Sequence, residues 1–210
     1  MTHMSTPKEL FVHELQDVYY AEKQLTRVLP QLASEAKDRE LTRAFESHLK
    51  ETQKQVANLE RVFKHLNRPA QGESCPGIDG IKREHDKFMQ EHQTTEQLKD
   101  VFLTGAASRT EHYEIAAYTG LIEQARALGE RESVKLLQAN LKQEKEALRK
   151  VESIGKRLTK ATSPNGTKRS TSRSSTRRST TGRSSTRSTA RRSTTTRGST
   201  RSRASSSRRS

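Results

Sequence analysis

The sequence predicts an all-α protein, an antiparallel four-helix bundle built from two α-hairpins and followed by a disordered C-terminal tail. Three observations predict this arrangement. Apolar residues recur every three or four positions in four long segments, as expected for one buried helix face. The second pair of segments repeats the first at a distance of 92 residues. From residue 161 onward there is no acidic, large aliphatic or aromatic residue.

The first hairpin consists of two helices joined by a short turn. The segment Thr6–Glu9 is typical of a helix start, with an N-cap threonine, a proline in the first turn and a glutamate that can close a capping box. The first helix should extend to about Lys37, because its apolar stripe continues beyond Pro30. The second should begin near Asp38 and end at Asn67–Pro69.

A long connection separates the two hairpins. Glycines and a proline within residues 72–80 predict a crossover loop, followed by a short polar helix over about Ile81–His92. The third long helix should occupy about Glu96–Leu128, with Gly129 at its end. The fourth should occupy about Glu130–Leu158.

The internal repeat relates the two hairpins residue by residue. A shift of 92 places Glu22 on Glu114 and aligns the apolar stripes of both helix pairs. A single pair of helices would share a heptad register by chance roughly one time in seven. Here both helices and the turn between them match in one register, so we expect two related hairpins in one bundle.

The charges divide the chain into a nearly neutral body and a polycationic tail. Residues 1–160 hold all 25 acids and 26 of the 40 lysines and arginines, a net charge of +1, whereas residues 161–210 carry +14. The tail's only apolar residues are alanines, which cannot bury enough surface to offset the entropy of ordering a backbone. We therefore expect a folded domain over residues 1–160 and a disordered Ser/Thr/Arg-rich tail over residues 161–210.

Several protein classes are excluded. Cys75 is the only cysteine, so an intramolecular disulfide and a thiolate metal cluster are impossible. No segment approaches the roughly 20 apolar residues of a membrane helix, and the N-terminus lacks the apolar core of a signal peptide. The sequence also lacks a phosphate-binding glycine loop and a nucleophile elbow. These features predict a cytoplasmic protein that does not associate with membranes.

Charged residues interrupt the apolar stripes near the middle of all four long helices, at the positions Glu22, His48, Glu51, Glu111, Glu114 and Glu144. An antiparallel bundle brings such positions to a similar depth. Burying an unpaired carboxylate costs on the order of several kcal/mol, so a cation is needed nearby. Carboxylate oxygens with one imidazole nitrogen suit iron or manganese. These six residues therefore predict a buried site for one of those metals.

A second interpretation is that these glutamates are solvated or hydrogen-bonded and that the histidine is structural. Di-iron bundles use a Glu from each of two helices and a Glu-x-x-His pair from each of the others. Here the second helix carries the reverse order, His48-x-x-Glu51, and Ala147 stands where a histidine would follow Glu144. The sequence leaves both interpretations open.

Four stretches of the sequence resemble one known family. They are Asp17–Ala33, Phe45–Val56, Glu111–Tyr118 and Leu141–Val151, and they resemble the YciF-type ferritin-like stress proteins over about Pro7–Leu158. The resemblance implies a ferritin-like bundle, a homodimer, a role in bacterial stress responses and a dinuclear site for two iron or manganese ions. By position, its candidate ligands are the six residues named above. The family's reaction is undefined, and the tail lies outside the resemblance.

The tail predicts an interaction with nucleic acid. Cations no more than five residues apart on a flexible chain can each neutralise a phosphate and release a condensed counterion. Because no aromatic residue is present to stack on bases, binding should be independent of base sequence. The candidate nucleic-acid-binding residues are Lys168, Arg169, Arg173, Arg177, Arg178, Arg183, Arg187, Arg191, Arg192, Arg197, Arg201, Arg203, Arg208 and Arg209.

Two functions follow from these features. The first is a stress-associated, metal-binding bundle that oxidises ferrous iron or consumes peroxide close to nucleic acid, at the bacterial nucleoid. The second is a non-enzymatic, nucleic-acid-associated dimer whose bundle has no functional metal site.

Overall fold

Five α-helices make up the part of the chain that the structure, a computed structural model, describes, which is residues 4–163. The helices are α1 (Pro7–Glu35), α2 (Arg39–His65), α3 (Pro76–Glu91), α4 (Glu96–Ala127) and α5 (Arg131–Thr162). The described residues contain no β-strand, which confirms the all-α prediction. The tail was predicted to be disordered from residue 161, but residues 161 and 162 belong to α5. The predicted disorder of residues 164–210 and all fourteen candidate nucleic-acid contacts lie outside the described residues.

The ends of the first hairpin follow from local sequence. Thr6 accepts a hydrogen bond from the backbone N–H of Glu9 at 3.2 Å, and the Glu9 carboxylate accepts from the backbone N–H of Thr6 at 2.9 Å. This is the predicted capping box. The helix α1 continues through Pro30, and Asp38 caps α2. Beyond α2, Asn67 adopts a left-handed φ of 53°, a conformation that asparagine tolerates better than most residues.

Neighbouring long helices run antiparallel. Asp100, near the start of α4, accepts a hydrogen bond from the backbone N–H of Asp38, just after the end of α1, at 2.8 Å. Further along α4, Tyr118 contacts Glu22 in the middle of α1. Near the end of α5, Arg157 forms an ion pair with Asp38 at the start of α2 at 2.7 Å. Together with the two hairpin turns, these contacts confirm the antiparallel four-helix bundle.

The short helix α3 begins earlier than the sequence predicted. We expected a loop up to Ile81, whereas α3 starts at Pro76, with Cys75 as its N-cap. Proline is well suited to a first helical position, where no backbone N–H is needed. A Cβ at Gly77 would lie 2.6 Å from Cε2 of Tyr113. The glycine therefore lets α3 pack closely on α4, and it does not mark a loop.

The crossover runs along α1. The hydroxyl of Tyr20 donates to Asp79 at 3.2 Å, and Nε2 of His85 lies 2.8 Å from the carboxylate of Glu35 at the end of α1. The connection thus returns the chain to the opposite end of the bundle before α4 begins. The helix α5 ends at Thr162, four residues beyond the predicted Leu158, because the apolar stripe ends before the helix does.

Two apolar clusters fill the bundle interior and are separated by a polar layer. One cluster lies at the end that contains Leu29, Leu41 and Ile154, and the other at the end that contains Phe11 and Leu137. The buried polar residues between them are Glu22, His48, Thr52, Gln55, Glu111, Glu114, Asn140 and Glu144. No helix within residues 4–163 has the length and apolar character needed to cross a membrane.

Candidate metal centre

Four side chains of the polar layer converge on one point. His48 from α2, Glu111 and Glu114 from α4, and Glu144 from α5 each present a potential ligand atom, and these four atoms all lie within 4.8 Å of one another. All four side chains are buried. The spacing of three between the α4 glutamates places both on one helix face, which is why one helix supplies two donors.

The imidazole of His48 lies between two buried carboxylates, those of Glu111 and Glu144, and the carboxylate of Glu51 at the edge of the polar layer. Its Nε2 lies 3.3 Å from Oε1 of Glu111 and 3.9 Å from Oε2 of Glu144. On the other side, its Nδ1 lies 3.7 Å from Oε2 of Glu51, which is half-buried. The histidine therefore connects the buried cluster to the protein surface.

Most of the converging atoms have no hydrogen-bond partner within residues 4–163. This holds for both ring nitrogens of His48, both oxygens of Glu114, Oε2 of Glu111 and Oε2 of Glu144. Buried polar atoms in native proteins are nearly always paired, so a group of unpaired donor atoms facing one another requires an explanation. A divalent cation fits, because oxygen and imidazole donors are those that iron and manganese accept.

Neutral polar side chains support the carboxylates from one side. Tyr118 donates its hydroxyl hydrogen to Glu22, and Gln55 donates its amide hydrogen to Glu144. Asn140 in turn donates to the hydroxyl of Tyr118 at 3.0 Å. Glu22 is buried beside the four converging residues but is not one of them within the described chain.

Burial is the main influence on the charges of the layer. It raises the pKa values of Glu22, Glu111 and Glu114 well above the ordinary glutamate value, and the neighbouring Glu144 raises them further. By contrast, the nearby imidazole of His48 lowers the pKa of Glu51, which is less buried. The buried carboxyl groups thus favour protonation, and a bound cation would have to displace those protons.

Comparison with known proteins identifies the family. Residues 6–163 match the family described as "Domain of unknown function (DUF892)". The chain belongs to the DUF892 family. It is 37% identical over 144 residues to Protein YciF of Escherichia coli (strain K12). This match covers 68% of this chain and 86% of YciF.

This DUF892 protein also resembles solved structures. YcfI from Rhodopseudomonas palustris matches with a TM-score of 0.69 and 40% identity, over 70% of this chain and 94% of that one. The E. coli stress protein YciF matches with a TM-score of 0.71 and 34% identity, over 74% of this chain and 98% of that one. These matches confirm the resemblance to YciF-type ferritin-like proteins that the sequence indicated.

The structure places five of the six predicted ligands of the DUF892 protein in the polar layer and the sixth, Glu51, at its edge. Four converge, Glu22 lies beside them in a hydrogen bond, and Glu51 lies at the edge. Metal binding by these residues stays a prediction. Gln55 and Asn140 were not predicted, because a neutral amide on an apolar stripe is a weaker signal than a charge. Their signal was their position, since each interrupts an apolar stripe within two turns of a predicted ligand.

Two cavities in the DUF892 domain reach the inner cluster, and both touch His48 and Glu111. The smaller, of about 40 Å³, lies between α1, α2, α3 and α4 and has mostly apolar walls. The larger, of about 200 Å³, lies between α2, α4 and α5 and includes Ala147. The cluster is therefore approached from two sides of the bundle.

Proposed function

We propose that this DUF892 protein is a stress-associated, ferritin-like protein that binds divalent iron or manganese in its polar layer. The observation that carries the proposal is the convergence of His48, Glu111, Glu114 and Glu144 with most of their donor atoms unpaired. Leaving such atoms buried and unpaired costs about 1–3 kcal/mol each. A cation would remove that cost. The related YciF of E. coli is described as a stress protein, which supports the stress role.

Each side chain has a distinct role in this proposal. His48 would supply the nitrogen donor, and the three glutamates would supply oxygens. Gln55, which donates to Glu144, would orient that carboxylate, an effect that in metal sites typically changes affinity by about 10–100-fold. A bound iron or manganese ion would supply redox chemistry with oxygen or peroxide.

Metal binding is tested on full-length protein purified without chelator. We expect iron or manganese by elemental analysis, and Fe(II) or Mn(II) at about a hundredfold excess over Kd should raise Tm by about 5–10 °C. The double variant Glu114→Gln, Glu144→Gln should lose both effects. Glu123→Gln, on an exposed position of α4, is the matched control and should keep them. A native protein that holds no metal and whose Tm ignores both ions would contradict the proposal.

We also propose that the arginine-rich tail tethers the protein to nucleic acid without sequence preference, close to the nucleoid in the cytoplasm. Fourteen cations without an acid between residues 161 and 210 support this. Affinity for two unrelated DNA duplexes should be equal and should fall steeply between about 50 and 200 mM salt. Replacing six tail arginines with glutamine should reduce the salt slope. Binding that is undetectable at about 50 mM salt, or insensitive to salt, would refute the tether.

The competing function is a non-enzymatic, nucleic-acid-associated dimer without a metal. The hydrogen bonds of Glu22 and Glu144, and the raised pKa values of the buried glutamates, favour it, because protonated carboxyl groups can be buried without a cation. Metal stoichiometry distinguishes the two functions. Sedimentation equilibrium tests the dimer, which both functions share.

A further inference from the structure

The two halves of the polar layer are unequal. The shift of 92 residues that relates the hairpins pairs Thr52-x-x-Gln55 on α2 with Glu144-x-x-Ala147 on α5. A dinuclear bundle site uses Glu-x-x-His at both of these places. The single glutamates are present, as Glu22 on α1 and Glu114 on α4. In the paired motifs only Glu144 is an expected ligand, whereas Thr52, Gln55 and Ala147 are not. The chain thus has donors for one half of such a site.

On the side of Glu22, hydrogen bonds engage one oxygen of Glu22 and the amide nitrogen of Gln55, while Oε2 of Glu22 and Oε1 of Gln55 have no partner within residues 4–163. Tyr118 donates to Glu22, and Asn140 donates both to Tyr118 at 3.0 Å and to the backbone carbonyl of Gln55 at 3.3 Å. The amide of Gln55 is engaged with Glu144. Amide and phenol groups are weak ligands compared with imidazole and carboxylate, so this side is a support for the carboxylates.

On the other side, two residues outside the paired motifs supply donors. His48 and Glu111 lie about one turn before Thr52 and Glu114, and their polar atoms meet at 3.3 Å. With Glu114 and Glu144 they form the converging group. Four donors around one point can hold one cation, and they leave part of its coordination free.

The larger cavity lies against two of these four donors, His48 and Glu111. Its walls include three alanines, Ala44, Ala107 and Ala147, and its volume is about 200 Å³. His48 is 6% exposed and Glu111 is 4% exposed, and both line this cavity and have buried atoms without a hydrogen-bond partner within residues 4–163. A water molecule takes about 30 Å³ in the liquid, so the cavity has room for a small molecule.

The charge of the cavity indicates which molecules it would accept. Its outer residues are Glu51, Glu146 and Lys150, with a net charge of −1, and most of its remaining wall is apolar. This disfavours anions, and the size excludes larger organic molecules. A small uncharged molecule fits best.

We propose that this cluster binds one divalent cation, where the sequence led us to expect two, and that Ala147 leaves the cation open to a small uncharged ligand from the cavity between α2 and α5. The inference rests on the proposed metal binding. It adds the stoichiometry, the position of the free coordination site and the class of ligand.

The test uses full-length protein loaded anaerobically with Fe(II), with nitric oxide as the uncharged probe. We expect one iron per chain and a half-integer-spin ferrous nitrosyl signal in electron paramagnetic resonance. Ala147→Leu fills the cavity and should keep one iron while weakening nitric oxide binding about tenfold or more. Ala147→Val should give an intermediate loss. Ala139→Leu, at an exposed position of α5, is the matched control and should change neither.

Three results separate this inference from the function on which it rests. Two irons per chain in the native protein would overturn the inference while leaving metal binding intact. So would a nitrosyl signal that survives in both Ala147 variants at native affinity. No bound iron in the native protein would overturn the proposed function and this inference together.

Discussion

Glu114 is buried in the middle of α4, and neither of its carboxyl oxygens has a hydrogen-bond partner within residues 4–163. An ionised carboxylate in such a place is strongly disfavoured, so burial raises the pKa of this group, and Glu144, Glu22 and Glu111 raise it further. The residue is therefore stable either as an acid or beside a cation. Its environment makes protons and metal compete for one position.

This competition predicts how the stability of the metal-free protein depends on pH. The folded pKa values of Glu22, Glu111 and Glu114 lie above the unfolded value near 4.5, so the folded state binds more protons. The stability that these three groups contribute is complete below their unfolded pKa and is lost as pH rises through their folded pKa values. In chelator, Tm should thus fall as pH is raised from the unfolded value near 4.5 through the raised folded values.

The control for this pH dependence is Glu114→Gln, which keeps the shape of the side chain and cannot ionise. Its Tm should fall less steeply over the same interval, and added Mn(II) should no longer raise it at the upper end. A native Tm that rises with pH in chelator would contradict the assignment of protonated carboxyl groups.

Gln55 should control affinity through Glu144. Gln55→Met keeps the volume of the side chain but removes the hydrogen bond to the carboxylate. We expect Mn(II) affinity to fall about 10–100-fold, measured by calorimetric titration. Gln53→Met, at an exposed position of the same helix, should bind as tightly as the native protein. Equal Mn(II) affinities for the two variants would show that Gln55 does not orient Glu144.

Sequence reasoning found the charged residues of the layer and missed its neutral ones for a physical reason. A glutamate on an apolar stripe signals a large desolvation cost, so Glu22, Glu114 and Glu144 stood out. An amide such as Gln55 or Asn140 costs less to bury and gives a weaker signal. Which donor meets which acceptor depends on side-chain conformations that no spacing rule contains.

At the scale of elements, the start of α3 shows where local sequence signals fail. Gly77 and Gly80 predict a loop because glycine disfavours helix interiors by about 1 kcal/mol. In the structure both are helical, and the first is required by its contact with Tyr113. The long helices were predictable because their apolar stripes carry the signal over many turns, and α3 is too short for that.

The two glycines should therefore respond differently to substitution. Gly77→Ala places a methyl group against the ring of Tyr113, and we expect a loss of about 1–3 kcal/mol in the free energy of unfolding. Gly80→Ala has only the end of the Arg83 side chain nearby, at 3.7 Å, and should gain about 0.5–1 kcal/mol from helix propensity. Urea denaturation measures both, and equal effects would contradict the close packing of α3 on α4.

For the whole molecule, the converging donors come from α2, α4 and α5, whereas α1 contributes Glu22 through a hydrogen bond. A cation should thus link three helices more strongly than the fourth. Hydrogen exchange with and without Mn(II) should show new protection near His48, Glu111 and Glu144, and less near Glu22. Equal protection in the middle of α1 would indicate that Glu22 is a ligand.

The fold of residues 4–163 was largely predictable from the chain as a whole. Repeated stripes, the shift of 92 residues that relates them and the capping signals specify two hairpins. The convergence of four particular donors was only partly predictable, because the sequence suggests their depth but not which way each side chain turns.

The polar layer between the two apolar clusters also has a consequence for how the helices align. Leucine-rich stripes alone would let two helices slide past each other by one heptad with little loss of contact. Such a slip here would leave Glu144 against aliphatic side chains and Gln55 without its acceptor. The layer therefore selects one alignment of the four long helices against all shifted ones, whether or not a metal is bound.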